Sequence, residues 1–244
     1  MSRLPTLLDP DPLAPFPPAG RALRDPDGLL ALGGDLSPQR LLNAYRHGIF
    51  PWYSSGQPIL WWSPDPRMVF DVGSFRLPSR FVRSLRKSTW TLRADTRFRD
   101  VIHACAHAPR GGQGNGTWIL PEMLEAYCEL HRLGHAHSIE VFDGARLVGG
   151  LYGVAVGRMF CGESMFSAEP GGSKVALGGL VGLLRRWEWP LIDAQLENAH
   201  LVSLGGKLLA RSEFLNRLEQ LQALDGNPGP WTAAFGNRAA NEFS

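Results

Sequence analysis

The sequence is poor in cysteine and has little net charge. Three cysteines are scattered through 244 residues, at Cys105, Cys128 and Cys161, and their spacing matches no metal-ligand pattern. We therefore expect no disulfide framework and a reducing compartment, with the thiols acting as small buried apolar groups. The formal net charge is only +2, so the total charge does not indicate a nucleic-acid-binding protein, although a local basic patch still can.

Long apolar runs are also absent. No stretch approaches the roughly 20 apolar residues that a membrane span requires. Near the N-terminus, Leu7 and Leu8 are followed at once by Asp9 and Pro10, which leaves no apolar core for a signal peptide. We predict a cytoplasmic protein that contacts no membrane. No heptad repeat demands assembly, so a monomer is expected.

One carboxylate stands out because it follows an apolar strand pattern. Residues 159–161 predict a strand, and Glu163 comes next, ahead of a short loop and a helix that starts at Ser173. A lone acid in apolar surroundings is costly unless it has a partner or a chemical task. Glu163 is therefore a candidate catalytic residue. The structural alternative is a buried ion pair with an arginine such as Arg158.

A pair of polar residues ends the strand predicted at 190–195, whose apolar composition is typical of a buried strand. Residues two apart in a strand share a face, so Asp193 and Gln195 can point together into one site. The alternative for Asp193 is a strand-end residue that caps the next turn.

Positive charge is concentrated just before and within a helix that we expect Ser79 to cap. Phe81, Val82 and Leu85 would face inward in that helix. The cations favour phosphate contact, although a solvated helix face is the plain alternative. The residues concerned are Arg76, Arg80, Arg83, Arg86 and Lys87.

Aromatic and glycine-rich segments are weaker signals. Trp52, Trp61 and Trp62 lie in a block broken by prolines, where packing competes with stacking on a nucleobase. Residues 111–114, Gly-Gly-Gln-Gly, resemble a phosphate loop only superficially, because the lysine and the preceding strand are missing.

The order of elements indicates an α+β protein. A hairpin that turns at Asp143 and Gly144 precedes a strand, a helix and the strand at 190–195, which does not suit a doubly wound sheet. We predict an N-terminal domain over 1–66, a catalytic domain over 67–225 and a tail over 226–244 that is loose in composition and disordered.

Several unusual strings in order resemble the bacterial leucyl/phenylalanyl-tRNA–protein transferase family, from about Phe16 to Leu218. The strings are GLLALGGDL at 28–36, YRHGIFPW at 45–52, LWWSPDPR at 60–67, GTWI at 116–119, GGLYG at 149–153, GESMFS at 162–167, LIDAQ at 191–195 and HLVSLG at 200–205.

The resemblance implies an enzyme that moves Leu, Phe or, less well, Met from aminoacyl-tRNA onto proteins with N-terminal Arg or Lys, which marks them for degradation. It implies an acetyltransferase-superfamily-like (GNAT-like) C-terminal domain after a smaller N-terminal α+β domain. No cofactor and no metal is implied.

The resemblance also implies roles for single residues. Asp193 and Gln195 occupy the catalytic pair, and Glu163 the acid beside them that orients the acceptor's amino end or helps to manage its charge. Trp52 and Trp118 match the tryptophans that meet the terminal adenosine. The family's apolar side-chain pocket falls on Phe160, Leu177 and Ile192. The family often has Cys where this chain has Ala194.

The chemistry requires a neutral amine, because the acceptor's α-amino group attacks an ester that is already reactive. We hypothesise that Asp193 takes the amine proton through Gln195. The alternative is that the tRNA's own sugar hydroxyl carries the proton, so that the pair only orients.

Two other functions were weighed. A coenzyme-A acyltransferase of the same fold needs a glycine-rich pyrophosphate turn before the helix at Ser173, but residues 168–174 hold an acid and a proline there. A non-catalytic tRNA-binding module explains the arginines and tryptophans but not Glu163 with Asp193 and Gln195.

Overall fold

The structure is a computed structural model and describes residues 4–108 and 117–243. The glycine-rich segment 111–114 and the first residue of the string at 116–119 lie outside these residues. The strands are β1 (Thr6–Leu7), β2 (Leu29–Leu32), β3 (Phe50–Pro51), β4 (Leu60–Trp62), β5 (Arg67–Asp71), β6 (Thr91–Ala94), β7 (Ala136–Asp143), β8 (Arg146–Val156), β9 (Met159–Ser167), β10 (Leu191–Gln195), β11 (Lys207–Leu209) and β12 (Arg238–Ala239). The helices are α1 (Pro38–Arg46), α2 (Ser79–Leu85), α3 (Phe98–His107), α4 (Pro121–Arg132), α5 (Gly172–Arg186), α6 (Ala199–Ser203), α7 (Arg211–Gln222) and α8 (Thr232–Phe235).

The strands form two sheets. A small sheet has the order β1-β2-β4-β3, and a large sheet has the order β11-β5-β10-β9-β8-β7-β6-β12. The large sheet is antiparallel except between β9 and β10, which are parallel and are joined by the crossover helix α5. The predicted α+β class, with a smaller N-terminal part and a larger C-terminal part, is confirmed.

Apolar side chains cover both faces of the large sheet. One core packs α1, α3, α4 and α7 against one face, and the other packs α5 and the C-terminal segment against the opposite face. A residue near the middle of the sheet is therefore buried whichever way it points, and a polar side chain there needs a partner.

Local sequence signals hold at two predicted boundaries and fail at a third. Ser37 Oγ accepts a hydrogen bond from the backbone N–H of Arg40 at 3.4 Å, with Pro38 as the first residue of α1. The hairpin turns at Asp143 and Gly144 as predicted. The prediction that Ser79 caps α2 is wrong: Ser79 is the first helical residue, and the N-cap is Pro78, which makes no side-chain capping bond.

The expectation of a disordered tail after residue 225 is also wrong. Trp231 is only 1% exposed, its backbone N–H donates to Asp95 Oδ2 at 2.7 Å, and its ring stacks on His137 at 3.7 Å between centroids. Farther along, β12 pairs with β6 at the sheet edge. The polar composition of the segment concealed two aromatic anchors, Trp231 and Phe235, whose burial holds it in place.

Replacing Trp231 with Ala should lower the free energy of unfolding by about 3–5 kcal/mol, because it removes a large buried ring. Denaturant unfolding measures the change. Leu224→Ala is the control, because Leu224 is 45% exposed in the same region and should change stability by less than about 0.5 kcal/mol. Equal effects of the two substitutions would contradict the packed C-terminal segment.

Candidate active site

A cavity of about 580 Å³ opens where β9 and β10 part. The parallel pairing covers three residues of each strand: Met159, Phe160 and Cys161 pair with Leu191, Ile192 and Asp193. Beyond these pairs the two strands diverge. The cavity is lined by Phe50, Pro51, Trp52, Phe70, Trp118, Leu151, Tyr152, Phe160, Gly162, Glu163, Ser164, Met165, Leu177, Leu180, Ile192, Ala194, Gln195, Leu196, Asn198, His200 and Leu201.

Backbone irregularities shape this opening. Glu163 falls in a register shift between β8 and β9, and a second shift separates Asp193 from Gln195 where β10 meets β5. Gln195 has φ +62°, which is uncommon for a residue other than glycine. The predicted loop after Glu163 is wrong, since β9 continues to Ser167 because its pairing with β8 extends that far. Glu163 therefore sits inside a rigid strand.

Glu163 is held by neutral donors. Its side chain is buried, Oε1 accepts from Gln195 Nε2 at 2.6 Å, and Oε2 accepts from the Tyr127 hydroxyl at 3.0 Å. The Tyr45 hydroxyl in turn hydrogen-bonds to that of Tyr127. The alternative of an ion pair with Arg158 is wrong, because Arg158 Nε donates to the carbonyl of Asp225 at 3.2 Å.

These surroundings move the Glu163 carboxyl into the neutral pH range. Burial raises the pKa of Glu163 to about 7; the hydrogen bonds from Tyr45, Tyr127 and Gln195 oppose the rise, and the charge of Asp193 adds to it. Burial and the nearby Glu163 charge raise the pKa of both tyrosines well above 10, so both remain hydrogen-bond donors. Glu163 can thus exchange a proton near neutral pH.

Asp193 has the opposite surroundings. Its side chain and that of Arg67 are each 1% exposed, and they form a bidentate ion pair, Nε to Oδ1 at 2.8 Å and Nη2 to Oδ2 at 2.7 Å. Asp193 Oδ1 also accepts the backbone N–H of Gln195 at 3.0 Å, so the residue caps the strand end as well. Asp193 is not among the residues that line the cavity. This corrects the expectation that it points into the site beside Gln195.

Arg67 is a site residue that no sequence pattern described above singles out. It is the first residue of β5 and precedes the apolar residues Met68, Val69 and Phe70, all of which are buried. A cation at the head of a buried strand needs an anion, and a buried acid on another strand needs a cation. Pairing Arg67 with Asp193 by this rule is the way in which the sequence could have indicated the contact.

The residues predicted for the apolar pocket and for adenosine contact are brought together. Phe160, Leu177 and Ile192 line the cavity, and so do Trp52 and Trp118. Of the other tryptophans, Trp61 is fully buried, and Trp62 packs edge-on against Trp52 with centroids 5.6 Å apart. The packing interpretation therefore applies to Trp61.

The predicted basic residues are exposed but lie away from the cavity lining. They flank or belong to α2, and Arg76 donates to the carbonyls of Gly73 and Phe75 at 2.9 and 2.7 Å. Within 4–108 and 117–243, no salt bridge engages any member of the set, which leaves their charge facing solvent. The set is Arg76, Arg80, Arg83, Arg86 and Lys87.

The turn before α5, which a coenzyme-A enzyme would need open, is covered. A Cβ at Gly171 would lie 2.5 Å from the Phe81 ring, and one at Gly172 would lie 2.4 Å from the carbonyl oxygen of Val148. The backbone N–H of Ser173 donates to Ser167 Oγ at 2.9 Å. This helix start therefore leaves little room for a pyrophosphate, and one of the backbone N–H groups that would bind it already donates to a side chain.

The part of the chain that the structure describes holds neither a metal cluster nor a membrane-spanning helix. These residues contain no group of three or more His, Cys, Asp or Glu side chains that could hold a metal ion. None of the helices found in them has the length and apolar character to cross a membrane.

Comparison with known families gives a consistent result over both sheets. The family model for leucyl/phenylalanyl-tRNA protein transferase matches residues 69–219, and the model for the N-terminal domain of the same family matches residues 34–65. A leucyl/phenylalanyl-tRNA–protein transferase of Xanthomonas euvesicatoria pv. vesicatoria (strain 85-10) is 67% identical over 239 residues, 98% of this chain and 95% of that protein. The protein of that name in Xylella fastidiosa (strain M23) is 57% identical over 243 residues, 100% of each chain.

Solved structures are more distant. L-PGS from Bacillus licheniformis is similar with a TM-score of 0.40 and 10% identity, over 75% of this chain and 62% of that one. A GCN5-related N-acetyltransferase-like protein from Streptococcus suis 89/1591 has a TM-score of 0.33 and 12% identity, over 66% and 59%. This likeness concerns the fold alone. From the family models and the sequence identities, the chain belongs to the leucyl/phenylalanyl-tRNA–protein transferase family, whose members are aminoacyltransferases.

Proposed function

We propose that this enzyme transfers Leu or Phe, and less well Met, from aminoacyl-tRNA to the α-amine of proteins that begin with Arg or Lys. The product is marked for degradation, and the enzyme acts as a cytoplasmic monomer. One observation carries the proposal: an apolar cavity with the hydrogen-bonded pair Glu163 and Gln195 on its wall. The names of the relatives support the donor and the type of acceptor.

The cavity suits the side chain of the transferred residue. Phe160, Leu177 and Ile192 line it, and charged side chains would lose hydration against these apolar groups. Rejection of Val or Ile depends on shape, for which a methyl group is worth only about 1–3 kcal/mol.

The carrier RNA has two candidate contacts. The flat rings of Trp52 and Trp118 at the cavity can meet the terminal adenosine, since base–aromatic stacking suits any base. Arg80, Arg83 and Arg86 on the α2 side are exposed cations that can neutralise phosphates farther along the tRNA. Arg76 and Lys87 extend that surface at its two ends.

The chemistry follows from the two polar side chains on the cavity wall. The α-amine attacks the ester carbonyl carbon, the C–N bond forms, and the C–O bond to the ribose breaks, so that the ribose oxygen needs a proton. Because Nε2 of Gln195 donates to Glu163, its Oε1 remains to accept a hydrogen bond from the amine. A carboxylate with a pKa of about 7 can take a proton from the attacking amine, whose ammonium form has a pKa of roughly 8, and return it to the ribose oxygen as the C–O bond breaks.

This assignment changes the role of Asp193 from that in our sequence hypothesis. Both of its oxygens bond to Arg67, and one also accepts the Gln195 backbone N–H. We therefore assign proton acceptance to Glu163 and orientation to Asp193 through Gln195. The competing route, in which the tRNA sugar hydroxyl carries the proton, leaves Glu163 only an orienting task.

The function is tested with labelled leucyl-tRNA and two peptides that differ only in their first residue, Arg or Ala. Label should appear on the Arg peptide and not on the Ala peptide, and labelled phenylalanyl-tRNA should behave in the same way. Transfer to both peptides alike would overturn the acceptor assignment. Transfer to neither peptide, from a folded enzyme, would overturn the proposed function.

Glu163→Gln should slow single-turnover transfer by about 10²–10⁴-fold, because the amide cannot accept the proton. The wild-type rate should rise with pH through about 7, where Glu163 becomes ionised, and again near the amine pKa of roughly 8. The variant should keep only the second rise.

Asp193→Asn is the matched comparison. Removing its negative charge lowers the Glu163 pKa, so the first rise should move to lower pH rather than disappear. A near-normal rate and an unchanged pH profile in Glu163→Gln would contradict the acid–base role and favour the sugar hydroxyl route.

A further inference from the structure

Arg67 joins parts of the chain that are far apart in sequence. Besides its two bonds to Asp193, its Nη1 donates to the carbonyl of Gly48 at 3.0 Å. Its guanidinium lies between two rings, 4.8 Å from the centroid of Phe50 and 4.6 Å from that of Phe214. The small sheet, β5, β10 and α7 therefore meet at one buried cation.

On one side, Arg67 is linked to Gln195 through the carboxylate of Asp193. The Asp193 carboxylate that Arg67 holds accepts the Gln195 N–H, at the residue where the backbone has a positive φ. Such a conformation persists in a residue other than glycine when surrounding bonds impose it. With Asp193 free to turn, the bond that holds the Gln195 backbone in this conformation would be lost.

On the other side, Arg67 is linked to Trp52 through its contacts with Gly48 and Phe50. Gly48 and Phe50 precede Pro51 and Trp52, and the last three of these residues line the cavity. A Cβ at Gly48 would lie 2.6 Å from Leu215 Cδ2, so this turn is closely packed against α7. Arg67 thus contacts residues that support two parts of the lining of one cavity.

We propose that Arg67 is a positioning residue of the transfer reaction, which fixes the Gln195 wall and the Trp52 wall of the cavity relative to each other. The inference rests on the proposed function. Lysine cannot replace it, because an ammonium is a point charge, whereas the planar guanidinium supplies fixed donors to a carboxylate and a carbonyl together.

Arg40 provides a matched control. It is also buried, at 0% exposure, and it bonds to Asp35 Oδ2 at 3.3 Å and to the carbonyls of Asp9 and Asp11, both at 2.8 Å. It does not line the cavity. Arg67→Lys and Arg40→Lys therefore remove similar networks of a buried guanidinium, one at the site and one away from it.

The experiment measures thermal unfolding and single-turnover transfer from leucyl-tRNA to the Arg peptide. Arg67→Lys should slow transfer on the order of 100-fold, the cost of a small misplacement of reacting groups. Arg40→Lys, compared at equal folded fraction, should transfer like the wild type. Equal rates in the two variants would overturn the inference.

A mutant cycle with Asp193 separates positioning from general destabilisation. If Arg67 acts through Asp193, then Arg67→Lys combined with Asp193→Asn should transfer no more slowly than the slower single variant. If the rate losses of the two single variants multiply in the double variant, the inference is overturned.

Hydrogen exchange at the Gln195 amide gives a readout without substrate. The exchange rate should be faster in Arg67→Lys and unchanged in Arg40→Lys. An unchanged rate in Arg67→Lys would count against the inference.

Should Arg67→Lys not fold, Arg67→Met with Asp193→Leu replaces the pair by apolar groups, an exchange that folded proteins often tolerate. That variant should lose transfer and Gln195 amide protection, and wild-type transfer by it would overturn the inference. A wild-type enzyme that does not transfer would instead overturn the proposed function, while the exchange measurement would still test the positioning of Gln195.

Discussion

The parting of β9 and β10 is the constraint on which the site depends. Parallel pairing stops after three residue pairs, and the strands then separate within a sheet that is covered on both faces. The gap between them is a cavity of about 580 Å³ whose lining residues are largely apolar. Glu163 and Gln195 stand just beyond the last paired residues, which brings a carboxylate from one strand to an amide from the other.

Two buried carboxylates near this gap are held in different ways, and the difference divides their roles. Among residues 4–108 and 117–243, the side chains that donate hydrogen bonds to Glu163 are neutral, and burial raises its pKa to about 7. Asp193 faces a guanidinium and a backbone N–H. Paired acids whose surroundings differ in this way usually have different tasks: one exchanges protons and the other serves as a fixed charge. Tyr127 completes the arrangement, because it donates to the carboxylate without neutralising it, and its own hydroxyl is hydrogen-bonded to that of Tyr45.

Much of this arrangement could be predicted from the sequence, because its signals are local. The Ser37–Pro38 helix start, the turn at Gly144 and the polar residues after apolar strands depend on neighbouring residues alone. The Arg67–Asp193 pair spans 126 residues, and no local pattern records such a contact. The positive φ of Gln195 and the length of β9 depend on strand pairing, and the packed C-terminal segment depends on a distant aspartate, Asp95.

Glu163 is a buried carboxyl group held by the neutral donors Tyr127 and Gln195, and we expect it to titrate near neutral pH on the cavity wall. Carbon-13 NMR of carboxyl-labelled enzyme tests it directly, with Glu163→Gln assigning the resonance. The account predicts a titration midpoint near 7 for Glu163. A midpoint near the ordinary glutamate value of roughly 4.3 would contradict it.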